Sequence, residues 1–392
     1  MKALHLLKTS VGARWALMQL RELVRLGIEC HVVVPDEAGI VPEYRRAGVN
    51  VHVLDLNAIP ATPAWFRAAG ALRRLVDAET PDVVHSHFVA TTLLMRAALG
   101  GTSTPRVFQV PGPLHLESRL FSALDLATAG RHDVWIASCE WTRRRYIDLG
   151  IDPARVFLAH YGSDLAALRP AAPGSLRQEL GLAAGTQIVG MVAYCYRPKV
   201  YLGNRRGIKG HEDFIDAIGC LRAEGRDVVG VVVGGAWQGA GSYFRSVQDY
   251  AAAHAHAHIV FLGTRRDVSA VYADLAVAVH PSLSENLGGA AESMLLGRPT
   301  VTTNVGGFPD LIVEGVTGYM VPPRNPQALA GAIARMLDDS GGASDVAAAG
   351  QQHAQRLLDV RCTAADVAAV YGQVIRPGAT APRIGVPHGA GA

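Results

Sequence analysis

Two carboxylates flank a pair of glycines in the stretch PSLSENLGGAAESMLLGRP, which runs from Pro281 to Pro299: Glu285 and Glu292 stand on either side of Gly288-Gly289. Such a pair can serve as acid and base, as a helix cap, or as two hands on a polar ligand. The neighbouring pattern narrows the choice. AVAVHPS reads as a buried strand ending near Pro281, and AAESMLLG reads as a helix that stops at Gly297 before Pro299. The loop between them, Leu283–Gly289, therefore falls at a strand's carboxyl end and a helix N-terminus, where amide N–H groups lack intrahelical partners and favour anionic or oxygen-rich ligands. Glycines there let a ligand approach the backbone. Ionised carboxylates only accept hydrogen bonds and so suit neighbouring hydroxyls of a sugar or ribose. Glu285 is expected in the loop and Glu292 in the first helical turn, off one common helical face but able to reach one cleft. The plainer reading has Glu292 complementing the helix dipole and Glu285 solvated.

Other segments carry charge or histidine. YRPKVYLGNRRGIKGHE supplies Arg197, Lys199, Arg205, Arg206 and Lys209, enough cation to meet an anionic ligand, or else a solvated basic loop or a mobile flap. KTSVGARWA follows the first strand and holds Gly12 and Arg14; a single glycine there reads by itself as a plain turn. His85 and His87 in VVHSHF close a strand and share one of its faces. Two such histidines could begin a metal site, but no third ligand is evident, so His87 is assigned to substrate contact or simply to closing the strand. HAHAH (His254, His256, His258) closes a helix, where polar or cationic residues suit the dipole. Arg143–Arg145 spread around a helix as a solvated face, a surface that also fits peripheral contact with anionic lipid. No Asp-x-Asp metal motif is present, and no metal is assigned.

The elements that must position these residues follow from the rest of the chain. Its 392 residues exceed the roughly 250–300 at which a single core stops growing, so two domains are expected. Apolar residues make up 49% and charged residues 18%, which excludes general disorder; a net charge of +3 excludes nucleic acid as the main partner. Five scattered cysteines without a CxxC pair read as buried thiols in a reducing compartment, and no apolar run suits a membrane span or signal peptide, so the cytoplasm is expected. KALHLL, ECHVVVP, VNVHVLD, PDVVHSHF, RVFQVPG and DVWIASC are strand candidates in the first half, with helical spacing over Trp15–Leu26 and Trp65–Ala78. QIVGMVAY, VVGVVVGG, HIVFLG, LAVAVHPS, PTVTTNVGG and GYMVPP repeat the style in the second. Strand–helix alternation with short links predicts an α/β protein with two Rossmann-like, doubly wound parallel domains facing across a cleft. The boundaries are set at 1–172 and 173–375, with a linker near Arg169–Ser175 and a disordered Gly/Pro/Ala-rich tail over 376–392. The last helix is allowed to pack back on the first domain.

The glutamate stretch resembles the glutamate-pair motif of retaining glycosyltransferase family 4, two-domain enzymes of the GT-B fold that use nucleotide-activated sugars. GIECHVVVP, DVVHSHF, WIASCEWTRRRY and RVFLAHYGSDLAALRP resemble its first-domain blocks in order. GIKGHEDFIDAI, IVFLGTRRDVSAVYADLAVAVHPSLSE and TNVGGFPDLIVEGVTGYMVPP resemble its donor-binding domain. The resemblance implies that Glu285 contacts the donor sugar and Glu292 the nucleotide ribose, with Asn286, Leu287, Gly288, Gly289 and Arg265 around the donor, Gly12 approaching the diphosphate, and Lys209 acting with an arginine on the leaving phosphate. Two departures stand out. Six residues separate the glutamates where seven is usual, and Asn204 stands where the family has its arginine, so Arg197, Arg205 and Arg206 all remain candidates. A family histidine turn reads QVPGPLH here, with Pro111 in the histidine's place, Gly112 after it and His115 as a substitute. Arg14, His87, Pro111 and Gly112 are the acceptor-side candidates.

The function expected is sugar transfer from a nucleoside diphosphate donor, UDP-linked, to a hydroxyl acceptor, with retention and without a metal or other cofactor. A glycoside hydrolase also uses two carboxylates but has no need of the basic loop. A sugar-nucleotide epimerase of the same fold and a nucleotide-sugar-binding regulator without catalysis are competing readings. The acceptor is read by loops such as Pro111–Leu126, which fit a lipid-linked glycan and a small natural product equally.

Overall fold

A computed structural model describes residues 1–200 and 203–376, so residues 377–392 of the expected tail and positions 201–202 of the basic loop lie outside the described residues. The chain divides into two compact units. The first comprises residues 1–111, 119–164 and 358 onward; the second comprises 112–118 and 165–357.

The first unit is built on seven strands: β1 (Lys2–Leu6), β2 (Glu29–Val34), β3 (Asn50–Val53), β4 (Val83–Ser86), β5 (Arg106–Val110), β6 (Asp133–Ala137) and β7 (Val156–Leu158). All pair in parallel, in the order β3-β2-β1-β4-β5-β6-β7. Alternate residues of each strand go to opposite faces. Cys30, Val32 and Val34 join Leu20, Leu23, Val367 and Tyr371 on one side, while Val33 joins Leu4, Leu6, Leu72 and Val76 on the other. Two buried faces explain why these strands are apolar runs rather than alternating ones. Each fully buried Val or Leu contributes about 1.5–3 kcal/mol of transfer free energy.

The second unit repeats the plan with β8 (Gln187–Val192), β9 (Val228–Val233), β10 (Ile259–Gly263), β11 (Val277–His280), β12 (Thr300–Thr303) and β13 (Tyr319–Val321), ordered β10-β9-β8-β11-β12-β13 and parallel throughout. The expected two Rossmann-like units are therefore present. The strand order of each sheet reverses beside its first strand, which puts the ligand-binding crevice at the carboxyl ends of β1/β4 and of β8/β11.

The division departs from the expected boundaries at 112–118 and 165–172, which fall in the second unit, while the last helix packs back on the first as allowed. The helix Val360–Ile375 belongs to the first unit, because Ala364, Val367, Val370 and Tyr371 complete its core. Gly112–Ser118 belongs to the second: a Cβ on Gly306 would come within 3.2 Å of the Pro113 ring, and Glu117 is hydrogen-bonded to Ser284. No helix among the described residues is long and apolar enough to cross a membrane.

Candidate active site

β11 ends at His280, and the chain loops from Pro281 to the helix Gly288–Leu295. At the centre of that loop the Glu285 carboxylate pairs with the Lys209 ammonium, their side chains only 14% and 16% exposed. The other carboxylate oxygen of Glu285 accepts from its neighbour's amide, Asn286 N–H, at 3.1 Å, and its carbonyl accepts from Gly307 N–H at 3.2 Å. The glycines make room for protein rather than for a ligand. A Cβ on Gly288 (φ +44°) would lie 2.6 Å from the Glu285 carboxyl carbon, and one on Gly289 would lie 3.0 Å from the Val192 carbonyl oxygen. Gly306 (φ +52°) lets the chain pass under the Glu285 carbonyl. Leu287 is buried, and the side-chain oxygen of Asn286 is buried without a protein partner.

Glu292 sits two residues further in than expected, in the second turn, because the helix begins at Gly288 and has no acidic residue in its first turn. Complementing the helix dipole is thus not its role. The residue is exposed overall, yet protein packed around the carboxyl group pushes its pKa up; a hydrogen bond from the buried Tyr272 opposes that shift.

Lys209 is placed by Gly210, which caps the helix His211–Ala223 with φ +72°, where a Cβ would strike the Pro281 carbonyl. Its ammonium stands 5.7 Å from the Tyr196 ring centroid. Burial, with the Lys209 charge adding to it, lowers His280 to about 3 and His211 to about 4, so both are neutral neighbours of that ammonium.

The arginines divide. Arg206 does not offer its guanidinium to a ligand phosphate: Asp213 (2.6 Å) and Asp216 (3.2 Å) hold it against the Tyr250 ring, and these charge-assisted bonds keep it firmly protonated. Arg265 pairs with Glu179 at 2.7 Å and Asp267 at 2.6 Å. Arg197 is exposed and donates to the Gly239 carbonyl. Arg205 is exposed and makes no ion pair among the described residues. Asn204, in the place of the expected arginine, is buried and bonded by Arg324 from the β13–helix turn. His115 is nearly buried in the short helix Leu114–Glu117, in the same unit as the glutamate loop; Gly112 lies beside Asn286 there, a Cβ on it falling 3.9 Å from that of Asn286.

In the first unit Gly12 adopts φ +81° with open space where a Cβ would be, and Arg14 opens the helix Arg14–Arg25 and pairs with Glu43 at 3.2 Å. Pro111 is half-buried at the end of β5. His87 is a correction. It is fully buried and its two ring nitrogens are used inside the protein, so it presents nothing to an acceptor. Strand pairing brings His5 of β1 beside His85 and His87, and the hydrogen bonds form a chain with one direction. Tyr161 donates to the Gln109 carbonyl (3.3 Å), so it accepts from His87 Nδ1–H (2.9 Å). His87 Nε2 then accepts from His5 Nδ1–H (3.0 Å), His5 Nε2 from the Tyr371 hydroxyl (3.1 Å), and Tyr371 from His85 Nδ1–H (2.5 Å). The chain ends at His85 Nε2, which is buried without a partner. All three imidazoles are neutral, and burial lowers each pKa far below the usual range.

Several residues of these sites escape a reading of the chain alone. Tyr196 and Trp237 pack with tilted rings at a 5.7 Å centroid separation just beyond the ends of β8 and β9, a placement at strand carboxyl ends that could have signalled them. Tyr272, Arg324 and His5 are distant in sequence from their partners and carry no local signal.

Two family models match the chain: a glycosyl transferase 4-like domain over residues 12–162 and glycosyl transferases group 1 over residues 199–339. A D-inositol 3-phosphate glycosyltransferase of Acidothermus cellulolyticus is 25% identical over 345 residues, covering 81% of this chain and 76% of that protein. Its counterpart in Corynebacterium glutamicum is 27% identical over 234 residues, 57% of this chain and 53% of that protein. The chain spans about half the length of the first curated relatives it matches. Among solved structures, Anabaena HepE in complex with UDP superposes with a TM-score of 0.78 at 21% identity, over 95% of this chain and all of that one. Sucrose-phosphate synthase of Thermosynechococcus elongatus does so at 0.76 and 17% identity, over 95% and 99%. With both halves matched in order and two parallel sheets of Rossmann type, the chain belongs to the glycosyltransferase family 4-like proteins of the GT-B fold.

Proposed function

We propose that the chain is a retaining glycosyltransferase that moves a sugar from a nucleoside diphosphate donor, a UDP-sugar, to a hydroxyl acceptor without a metal ion. The observation that carries this reading is the Lys209–Glu285 pair at the β8/β11 crevice, beside the start of the helix Gly288–Leu295. UDP and UDP-glucose in complexes of Anabaena HepE add support for the donor class.

In the free protein Glu285 neutralises Lys209. An incoming diphosphate competes for the ammonium, and the carboxylate released from it accepts hydroxyls of the transferred sugar. The unpartnered Asn286 oxygen accepts a further donor hydroxyl, and Glu292, held by Tyr272, accepts from the ribose. As the glycosidic C–O bond breaks, charge grows on the diphosphate. Lys209 neutralises it, joined by Arg205, an exposed arginine of the basic loop that makes no ion pair among the described residues. The acceptor oxygen attacks on the face the diphosphate leaves, and a phosphate oxygen takes its proton, so the protein need supply no nucleophile. His115 lines the same unit and orients the sugar.

Screening nucleotide sugars against acceptor arrays, with mass-spectrometric product detection and anomeric assignment by NMR, tests this. A UDP-sugar consumed only with acceptor, giving a retained linkage lost in Glu285→Gln, is expected. Donor hydrolysis or epimerisation as the sole reaction would refute it.

A further inference from the structure

The first unit carries a second cluster of metal-ligand type, on the opposite face of its sheet from the buried histidine chain. His31 of β2, His52 of β3 and Glu79, the last residue of the helix Pro63–Glu79, converge at the amino-terminal end of the sheet, away from the ligand-binding carboxyl ends. His31 Nδ1 lies 2.9 Å from His52 Nε2, and the Glu79 carboxylate oxygens lie 3.5 Å from the first nitrogen and 3.9 Å from the second. Tetrahedral zinc bonds of about 2.0–2.1 Å require ligand atoms about 3.3 Å apart, so these three already approximate one face of the coordination polyhedron. The set of two imidazoles and one carboxylate leaves a fourth position open.

Two further features point the same way. Glu29 Oε1 lies 2.9 Å from His31 Nε2, on the side of the ring away from the cluster. A carboxylate there fixes the proton on Nε2 and turns the Nδ1 lone pair toward His52 and Glu79, the arrangement that orients metal-binding imidazoles. The Asn50 amide reaches the same Nε2 at 3.2 Å, and its oxygen can face that proton because the two ends of an amide are interchangeable in shape. The charges are also unbalanced toward a cation. Glu29 and Glu79 share one ammonium, Lys2, at 3.4 and 3.6 Å, and Glu79 ends a helix, where the dipole favours positive charge. His31 is buried, while His52 and Glu79 keep 23% and 28% of their side chains exposed, so an ion has a way in.

We propose that His31, His52 and Glu79 bind one divalent transition-metal ion, zinc by preference, which pins the end of the helix Pro63–Glu79 to the β2–β3 edge. The bound ion is structural; Lys209, Glu285 and Glu292 all lie in the second unit.

Cobalt titration of the untagged full chain, read by visible d–d absorption, with zinc equilibrium dialysis and a thermal melt in parallel, tests the proposal. One cobalt per chain in a tetrahedral environment is expected, displaced by zinc, with zinc raising the melting temperature. His52→Ala and Glu79→Gln, each verified as folded by circular dichroism, should abolish the bands and the thermal shift; His256→Ala should retain both. No binding in about tenfold excess metal would overturn the proposal. So would binding that survives in His52→Ala and Glu79→Gln, because the ion would then sit elsewhere, as at His5, His85 and His87.

Discussion

The two sheets share one strand order, yet their switch points end in opposite chemistries. At β1/β4 three histidines and two tyrosines consume one another in a sealed hydrogen-bond chain, leaving a single nitrogen over. At β8/β11 a loop brings one ammonium against one carboxylate, with both still partly open to solvent. The first arrangement stabilises by satisfying buried polar groups; the second keeps charge that a ligand can rearrange. Topology designates both crevices, but the loop residues decide which one is chemically available.

The sharpest way to break this contrast is to remove the open pair. Lys209→Ala and Glu285→Gln should each lower turnover by about 10²–10³-fold, the usual effect of deleting a group that stabilises transition-state charge, with unchanged circular dichroism. A fall confined to KM would make the pair a binding feature only. Glu292→Gln should be milder, about a 10–100-fold loss of donor affinity by calorimetry, corresponding to one charge-assisted hydrogen bond.

The sealed chain calls for the reverse outcome. Tyr371→Phe leaves His5 Nε2 and His85 Nδ1–H unpartnered and should cost about 1–3 kcal/mol in denaturant unfolding, with donor affinity unchanged. Acid should act on one member of this chain, His5, and on His280 of the second unit as well. His5 and His280 have folded pKa values of about 3, below the unfolded value of 6.5, so the unfolded state binds more protons between those limits. Stability should therefore fall as pH drops from 6.5 toward 3 and be level, as far as these groups go, above 7; urea midpoints at successive pH values check the sign. The smallest effect is expected at Arg265→Ala, under about 1 kcal/mol, because its two carboxylate partners are exposed and remain solvated.

Much of the fold was legible in the chain because strands buried on both faces are continuous β-branched runs. Every run named as a strand candidate forms one. β7, Val156–Leu158, was not among those candidates. The glutamate loop was legible too, since a strand end, a glycine pair and a helix start lie within a few residues. What it did not show was the use of the glycines, which make room for Glu285 and the Val192 carbonyl, nor the helix start at Gly288 that moves Glu292 inward. His87 looked available because a strand end is where ligands are met. The residues that complete its hydrogen-bond chain, His5, Tyr161 and Tyr371, lie 82, 74 and 284 residues away, and only strand pairing and the returning last helix bring them together. Arg206 and Arg265 drew attention as charge, and carboxylates elsewhere in the fold pair with them.

Calorimetric titration of the full chain with UDP and with UDP-glucose tests the central claim most directly. Saturable binding at one site per chain, weakened at least tenfold in Lys209→Ala and unaffected in Tyr371→Phe, is the predicted result. Absence of binding by any nucleoside diphosphate or its sugar, or binding indifferent to Lys209, would contradict it.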